Sequence, residues 1–309
     1  MKRATTLAAV AAAALGLAVV AGGATRELSG RITADGSSTV GPYTQAAAEM
    51  FMRKHRKVQI TVGISGTGGG FERFCRGETD LSNASRPIRA AEHQTCLSSG
   101  VRWAAFTVAN DGISIVVNKA NTWANCLTTA QLKKMWEPNS KVNSWRDLDA
   151  SYPDVKLELY GPGTDSGTFD FFTEVINGRA RSSRSDYQAS ENDNVLVQGV
   201  EGDRGALGYF GLSYYEANKA KLKLLKVDNG KGCVAPSVKT VQNATYKPLA
   251  RPLFVYAKRS AFGRAAVRSF IGYIFNNERA IAKRAAYVPL TDKQLTKARN
   301  QFRVALRTT

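Results

Sequence analysis

The sequence contains few of the residues on which enzyme active sites most often depend. Its 309 residues include two histidines, His55 and His93, and neither adjoins a loop rich in glycine or hydroxyl side chains. No G-x-S-x-G turn, P-loop motif or cluster of metal-ligating residues is present. A serine nucleophile needs a general base near its hydroxyl, and a P-loop needs a fixed spacing of glycine and lysine. These absences argue against catalysis and against a bound metal or cofactor.

Beyond its N-terminal region the sequence lacks any apolar run that could cross a membrane, which takes roughly 20 residues. The N-terminal region has Lys2 and Arg3, then an apolar run Leu7–Ala21, then small residues as far as Ala24. This order is typical of a secretory signal peptide, so we expect residues 1–24 to be removed by cleavage near Ala24. The alternative is a retained membrane anchor, for which the run is short. No cysteine follows the run, which argues against a lipoprotein, and we expect the mature chain in the periplasm, at the cell envelope or outside the cell.

The sequence has only four cysteines, which is an even number. In an oxidising compartment an even number favours disulfides over metal sites. Of three possible pairings we prefer Cys75–Cys96 with Cys126–Cys233, because the latter two fall in one predicted lobe. The alternative, a zinc site from Cys75, His93 and Cys96, lacks a fourth ligand.

Acidic residues are also few: 25 Asp and Glu stand against 43 Lys and Arg, for a formal charge of +18. Loss of Lys2 and Arg3 with the signal peptide leaves +16. A field of this sign attracts nucleic acid, anionic cell-wall polymers or a small anion. The basic residues are spread along the chain, with Arg53–Lys57 the only tight cluster, and no aromatic RNA-binding signature accompanies them. We therefore expect no nucleic-acid partner.

Apolar periodicity predicts an α/β fold. A strand near Arg31–Ala34, a helix over Val40–Met52, a strand at Val58–Ile64, a short helix and a strand at Asp80–Ala84 follow in order. This β-α-β-α-β order indicates a largely parallel sheet covered by helices.

The alternation restarts later in the chain, which predicts a second lobe. The polar trio Asn110–Gly112 lies between two β-rich segments and predicts a first crossing between lobes, and Leu249–Tyr256 predicts the return crossing. We expect lobe I to comprise residues 27–109 and 252–309 and lobe II residues 110–251. In a last helix over Asp292–Arg307, Leu295, Ala298, Phe302 and Leu306 recur at helical spacing and are expected to dock on lobe I. A cleft between two hinged lobes is the usual place for a small ligand.

Three segments share one design, in which a strand end is followed by Gly with Ser or Thr and then by an amphipathic helix. They are Asp35–Thr39, Ser65–Gly70 and Gly161–Thr168. Glycine lets backbone N–H groups approach an anion, hydroxyls add donors, and the helix N-terminus contributes positive potential. Each segment alone could be an ordinary helix cap or turn. Their distribution over both predicted lobes favours an oxyanion site.

A fourth segment, Asn83–Pro87, follows a strand of the first lobe and places a hydroxyl beside a guanidinium, Ser85 and Arg86. A guanidinium can donate in parallel to two anion oxygens. An exposed structural arginine is the alternative.

Together the runs DGSSTV, SGTGGGFERFCRGETDLSNASRPI and YGPGTDSGTFDFF resemble the signature loops of the phosphate-binding proteins of bacterial high-affinity ABC transporters. The similarity extends over essentially the whole mature chain, including Ser190–Val200 and Gly205–Phe210. It implies a two-lobed type II periplasmic-binding-protein fold that closes on phosphate.

The resemblance also implies the donors. Carried over by motif position, the expected phosphate-binding residues are Ser38, Thr39, Thr67, Gly68, Ser85, Ser166, Gly167 and Thr168. Better-studied members carry an acidic residue near Ser85 and an arginine just before the second-lobe loop. Here those positions hold Ser85-Arg86 and Gly161-Pro162, so we expect Arg86 to supply the cation.

Selectivity needs an acceptor, because phosphate near neutral pH still carries a proton that it can donate, whereas sulfate does not. A carboxylate in a dry cleft accepts that bond from phosphate and opposes sulfate. Asp165, inside the second-lobe loop, is our first choice for this acceptor and Asp35 our second. Asp165 could instead cap its helix.

The sequence thus predicts an exported, monomeric binding protein that delivers inorganic phosphate to a membrane permease. One alternative keeps the fold and changes the ligand to another tetrahedral oxyanion, such as sulfate or molybdate. Another is a secreted phosphatase with Ser166 or Ser38 as nucleophile, which the positions of the histidines disfavour.

Overall fold

The fold is seen in a computed structural model that describes residues 27–164, 166–190 and 192–307. The predicted signal peptide at residues 1–24 and the predicted acceptor Asp165 lie outside the described residues.

Strands and helices alternate through most of the described chain. The strands are β1 Ser29–Gly36, β2 Lys57–Val62, β3 Leu81–Ala84, β4 Trp103–Asn118, β5 Cys126–Thr128, β6 Glu158–Gly161, β7 Gln188–Ala189, β8 Ala206–Gly211, β9 Leu222–Leu224, β10 Lys226–Asp228, β11 Cys233–Val234 and β12 Ala250–Lys258. The helices are α1 Gly41–Lys54, α2 Gly66–Cys75, α3 Ala90–Ser98, α4 Thr129–Trp136, α5 Trp145–Leu148, α6 Gly167–Asn177, α7 Asp193–Gly202, α8 Leu212–Asn218, α9 Val238–Gln242, α10 Ala265–Asn276, α11 Glu278–Arg284 and α12 Asp292–Arg307. The predicted α/β character is confirmed.

The larger sheet runs through both lobes in the order β2-β1-β3-β12-β4-β8-β6-β7, with β9 also paired to β4. Strand β1 is parallel to β2 and β3, as the β-α-β-α-β order predicts. Strand β4 is the shared element, because its first half pairs with β12 and its second half with β8 and β9. A smaller sheet in the order β11-β10-β5 lies beside it.

Local sequence explains the first elements. In β2 the alternating Val58 and Ile60 are buried while their neighbours are exposed, the period of a strand with one covered face. Helix α1 begins with Pro42 in its first turn, where the missing N–H costs nothing, and buries Tyr43, Ala47 and Phe51 on one face.

Among the described residues, the two largest hydrophobic cores are separate from each other, and β4 contributes residues to both. One contains Ile32, Phe106 and Val255, and the other contains Ile115 and Trp136. The chain passes between them once within β4 and again at the start of β12. The boundaries of 27–109 with 252–309 and of 110–251 stay predictions.

Two details of the sequence interpretation are corrected. The trio Asn110–Gly112 lies inside the continuous strand β4, because its backbone pairs in register with β12, so it is not a break between two strands. In α12, Leu295, Ala298 and Phe302 join the core of lobe I as predicted, but Leu306 is 37% exposed. Ala305, one residue earlier, is the buried member of that last turn.

The cysteines form the preferred disulfides, Cys75–Cys96 and Cys126–Cys233. The first joins α2 to α3 in lobe I, and the second joins β5 to β11 in lobe II. The alternative zinc site from Cys75, His93 and Cys96 is thereby ruled out.

Glu278, the first residue of α11, supplies a prediction about stability. Its side chain is 2% exposed, its Oε1 accepts from Leu290 N at 2.7 Å, and burial raises its pKa from 4.5 to about 7. Between these two values the folded protein binds a proton that the unfolded chain releases, so stability falls as the pH rises through this window.

We expect the Glu278→Gln variant to lose this dependence. At about 1.4 kcal/mol per pKa unit, the wild-type free energy of unfolding should fall by about 2 to 3 kcal/mol more than that of the variant between pH 4.5 and 8. Urea unfolding of both proteins at these pH values measures the difference. If the free energy of unfolding changed equally with pH in the two proteins, the raised pKa would not belong to Glu278.

Candidate anion-binding site

The predicted donor loops of lobe I meet at one edge of the sheet. Strands β2 and β3 both run parallel to β1, so the segments after all three strands leave the sheet on the same side. Ser38 and Thr39 lie between β1 and α1, Thr67 and Gly68 lie in the first turn of α2, and Ser85 follows β3.

Asp35, at the end of β1, holds two of these loops in place. Its Oδ1 accepts from Ser65 Oγ at 2.8 Å, and its Oδ2 accepts from Arg73 Nη1 at 2.8 Å. Both carboxylate oxygens therefore already accept bonds within lobe I, and a role for Asp35 as the acceptor of a ligand proton stays a prediction.

The hydroxyls of Thr67 and Ser85 lie 3.1 Å apart, and Ser85 N donates to Thr67 Oγ1 at 3.3 Å. These contacts join the second and fourth predicted segments into one polar wall.

Arg86 lies on the same wall but is engaged by a carboxylate. Its Nη1 and Nη2 donate to the two oxygens of Glu92 at 2.8 and 2.7 Å, and this bond raises the pKa of the guanidinium. The parallel donor pair that the sequence analysis expected to meet the anion is thus occupied within lobe I.

The donors of lobe II lie at the start of α6. Ser166 is the N-cap residue, and its Oγ accepts from Thr168 N at 3.2 Å. The helix itself begins at Gly167, the residue that contacts lobe I.

The two lobes touch where Thr39 meets Gly167. Thr39 Oγ1 donates to the Gly167 carbonyl oxygen at 3.0 Å. A Cβ at Gly167 would overlap Thr39 N and Oγ1, so only glycine permits this approach.

Arg251, in β12, is a buried cation of the cleft that no sequence motif indicates. Its side chain is 11% exposed, and its Nη2 donates to Thr39 Oγ1 at 2.8 Å and lies 3.4 Å from the Gly167 carbonyl oxygen. Its Nη1 lies 3.5 Å from the Ser85 carbonyl oxygen, and its guanidinium lies 3.6 Å from the centre of the Phe171 ring. One side chain therefore contacts both lobes.

Asp111 lies directly opposite Arg251 in the pairing of β4 with β12, with 3.5 Å between Asp111 Oδ2 and Arg251 Nε. Burial raises the pKa of the Asp111 carboxyl, which the guanidinium opposes, and burial lowers the pKa of Arg251. Because arginine starts so high, Arg251 stays protonated. The sequence offered one signal for this pair, because Asp111 and Arg251 are charged residues that each lie in one of the two predicted crossings.

Two cavities adjoin the Thr39–Gly167 contact. The first, of about 350 Å³, is lined by the predicted residues Ser38, Thr39, Thr67, Gly68, Ser85 and Arg86, and also by Asp170, Phe171, Glu174, Arg181 and Arg251. The second, of about 300 Å³, is lined by Ser38, Thr39, Ser166, Gly167, Thr168, Asp111 and Tyr287 among others. The described predicted residues thus meet at the cleft. Ser38 and Thr39 line both cavities, whereas Thr67, Gly68 and Ser85 line only the first and the lobe II residues Ser166, Gly167 and Thr168 line only the second.

Asp170, in the first turn of α6, is a further carboxylate that sequence reasoning missed. Burial raises its pKa, whereas Arg181 and Arg251 lower it. Its Oδ1 is buried, and no donor among the described residues forms a hydrogen bond with it; Arg181 Nε lies 3.9 Å away.

Comparison with known proteins places this cleft in a family. The profile of the PBP superfamily domain matches residues 21–278. The chain belongs to the PBP superfamily. Protein SphX of Synechococcus elongatus is 48% identical over 275 residues, covering 88% of this chain and 81% of SphX. The phosphate-binding protein PstS of Staphylococcus saprophyticus is 37% identical over 278 residues, covering 88% of this chain and 84% of PstS.

Solved structures of other proteins have a similar fold. A possible phosphate binding protein from Planctomyces limnophilus superposes with a TM-score of 0.86 at 44% identity, covering 90% of this chain and 99% of that one. An ABC-type phosphate transport receptor from Vibrio cholerae has a TM-score of 0.67 at 20% identity, covering 83% and 99% of the two chains. The predicted two-lobed type II fold is confirmed. The family is one of binding proteins rather than a known enzyme family.

Among the described residues, no helix is long and apolar enough to span a membrane. The same part of the chain holds no group of three His, Cys, Asp or Glu side chains that could bind a metal ion.

Proposed function

We propose that this protein captures inorganic phosphate between its two lobes and delivers it to the permease of a phosphate ABC transporter. The observation that carries the proposal is the meeting of hydroxyl and backbone donors from both lobes around Arg251, the buried cation that touches both. Relatives named as phosphate-binding proteins support the choice of ligand, among them one that is 38% identical over 268 residues, or 85% of this chain.

The chemistry suits a small oxyanion. The N-terminus of α6 and the loops before α1 and α2 present N–H groups and hydroxyls, and helix N-termini favour negative charge. In a closed cleft these donors replace the water of the anion, and Arg251 balances its charge. Ser38, Thr39, Thr67, Gly68, Ser85, Ser166, Gly167 and Thr168 remain the proposed donors, with Arg251 in the position that we had expected Arg86 to fill.

The proposal is for a transport protein rather than an enzyme. Neither His55 nor His93 lines the two cavities beside Ser38 and Ser166, so neither can activate these hydroxyls in the described conformation. We further propose that the protein is exported by a signal peptide cleaved near Ala24 and acts as a monomer.

Asp170 is our proposed acceptor for the proton of phosphate. Asp170 is among the residues that line the cavity beside Arg251 and the lobe I donors, and its buried Oδ1 accepts from no donor among the described residues. A protonated oxyanion that enters this cavity can donate to the carboxylate. Sulfate would instead place a lone pair against this carboxylate. Asp165, outside the described residues, stays the sequence-based candidate for the same role.

We predict that Asp170→Asn narrows the preference for phosphate over sulfate by about tenfold or more, because an unpaired buried acceptor costs about 1–3 kcal/mol. Competition calorimetry with the two anions at pH 8 measures the change. Glu174→Gln, one turn along the same helix and more exposed, is the control and should leave the ratio unchanged. The same measurement on Asp165→Asn decides between the two aspartates. If the preference for phosphate over sulfate is unchanged in either variant, that residue is not the proton acceptor.

The function itself is tested by calorimetry on purified protein freed of bound anion. We expect phosphate to bind one to one and to be displaced by neither sulfate nor molybdate at equal concentration. Tight sulfate binding that phosphate fails to displace would overturn the assignment. Binding to polyanions that collapses with salt and ignores free phosphate would instead favour a surface role for the positive charge.

A further inference from the structure

A short segment of lobe I, residues 286–290, lies between α11 and α12 and runs beside β4, one of the two crossing strands. We call this segment the strap. Its far end is fixed to lobe I, because Leu290 N donates to the buried Oε1 of Glu278 at 2.7 Å. Ala286 at its near end has φ of 58°, a conformation that non-glycine residues rarely adopt. The surrounding structure therefore determines the path of the strap.

The middle of the strap belongs to lobe II. Val288 exchanges two backbone hydrogen bonds with Asn110, at 2.8 and 3.0 Å, and its side chain packs in the core of lobe II. The Pro289 carbonyl oxygen accepts from Gln242 Nε2, in α9 of lobe II, at 2.8 Å, and from Asn110 Nδ2 at 3.2 Å. The strap is thus a segment of the chain that connects the two lobes in addition to β4 and β12.

Next to Val288, Tyr287 reaches the donor loop of lobe I. Its phenol OH donates to the Thr39 carbonyl oxygen at 2.5 Å. Burial raises the pKa of this phenol, so it remains a protonated donor at neutral pH. The bond fixes the peptide that follows Thr39, the same residue whose Oγ1 contacts Gly167 and Arg251.

We propose that the strap couples the position of lobe II to the orientation of the Thr39 loop, with Tyr287 as a positioning residue for the anion. The proposal rests on phosphate being the ligand of the cleft. When α9 moves with lobe II, the Gln242–Pro289 bond moves the strap, and Tyr287 transfers this displacement to Thr39. The loop is then held in its binding orientation only when the lobes are closed.

The test is a double-mutant cycle of Tyr287→Phe and Gln242→Ala, which remove two bonds at opposite ends of this path. With phosphate, we expect Tyr287→Phe to weaken affinity about fivefold, mainly through faster dissociation, and Gln242→Ala about threefold. Because both act through the strap, the double variant should lose little more than Tyr287→Phe alone. Calorimetry and stopped-flow dissociation give these values.

The control is Tyr214→Phe, since Tyr214 lines the same cavity as Tyr287. We expect it to bind phosphate like wild type. Additive losses in the cycle, or equal effects of Tyr287→Phe and Tyr214→Phe, would overturn the coupling while leaving phosphate capture in place. Absence of phosphate binding by the wild-type protein would instead refute the proposed function. If Tyr287→Phe fails to fold, Gln242→Ala decides alone, and an unchanged dissociation rate rejects the proposal.

Discussion

Replacing Arg251 with methionine is expected to weaken phosphate binding by about 100-fold or more, the largest loss from any single side chain of the cleft. Hydrogen bonds to charged groups contribute about 1.5–3 kcal/mol each, and Arg251 is the buried positive charge at the contact of both lobes. Titration calorimetry of the variant against wild type measures the loss.

Arg251→Met leaves Asp111 as an uncompensated buried charge, which can destabilise the fold, so a further variant must separate the effect on binding from the effect on folding. The double variant Arg251→Met with Asp111→Asn restores neutrality and should fold, yet should still bind phosphate poorly. Arg251→Lys keeps the charge without the planar donor pair, so its phosphate affinity should lie between those of wild type and Arg251→Met.

Arg86→Ala is the matched comparison, since Arg86 lines the same cavity with its donors on Glu92. We expect it to weaken phosphate and sulfate alike by less than tenfold. Near wild-type affinity in the Arg251 variants together with a large loss in Arg86→Ala would return the role of the cation to Arg86.

The second large effect is expected from Gly167→Ala. The backbone of Gly167 has a φ that any residue can adopt, so alanine does not strain α6 itself. Its Cβ would overlap the backbone of Thr39, and backbone cannot move aside as the end of a flexible side chain can. The lobes must then stay apart. We expect about a 100-fold loss of phosphate affinity, whose free energy lies within the range that overpacking costs. Thermal stability should be nearly unchanged.

Gly202→Ala is the control for this substitution, because Gly202 ends α7 in the same lobe and a Cβ there meets nothing within 4 Å. Small-angle scattering with saturating phosphate adds a second readout, in which only Gly167→Ala should keep the dimensions of the open form. Gly167→Ala binding phosphate as tightly as Gly202→Ala would show that the Thr39–Gly167 contact is not needed for closure.

The donor loops could be predicted from sequence because their design is local. A strand end, Gly with Ser or Thr, and a helix start lie within a few residues of each other, so spacing and resemblance were enough to propose Ser38, Thr67 and Ser166 as donors. The disulfide pairing also followed, because it needed only the assignment of Cys126 and Cys233 to one lobe.

Arg251 could not be found in this way, because its role depends on pairing between distant strands. Only the register of β4 with β12 places it opposite Asp111, and only the approach of α6 places Phe171 against its guanidinium. Arg86 was favoured because it follows Ser85 in a predicted loop. The carboxylate that engages it, Glu92, belongs to the capping of α3, and this competition was not visible in the loop motif.

The central claim is that one phosphate is held by both lobes at once. A crystal structure of the protein with phosphate bound tests it most directly. We predict a single anion in the cleft that contacts Arg251, receives bonds from Ser38 or Thr39 of lobe I and from Ser166 or Thr168 of lobe II, and donates to a carboxylate. An anion held by one lobe alone, or at a site remote from Arg251, would contradict this account.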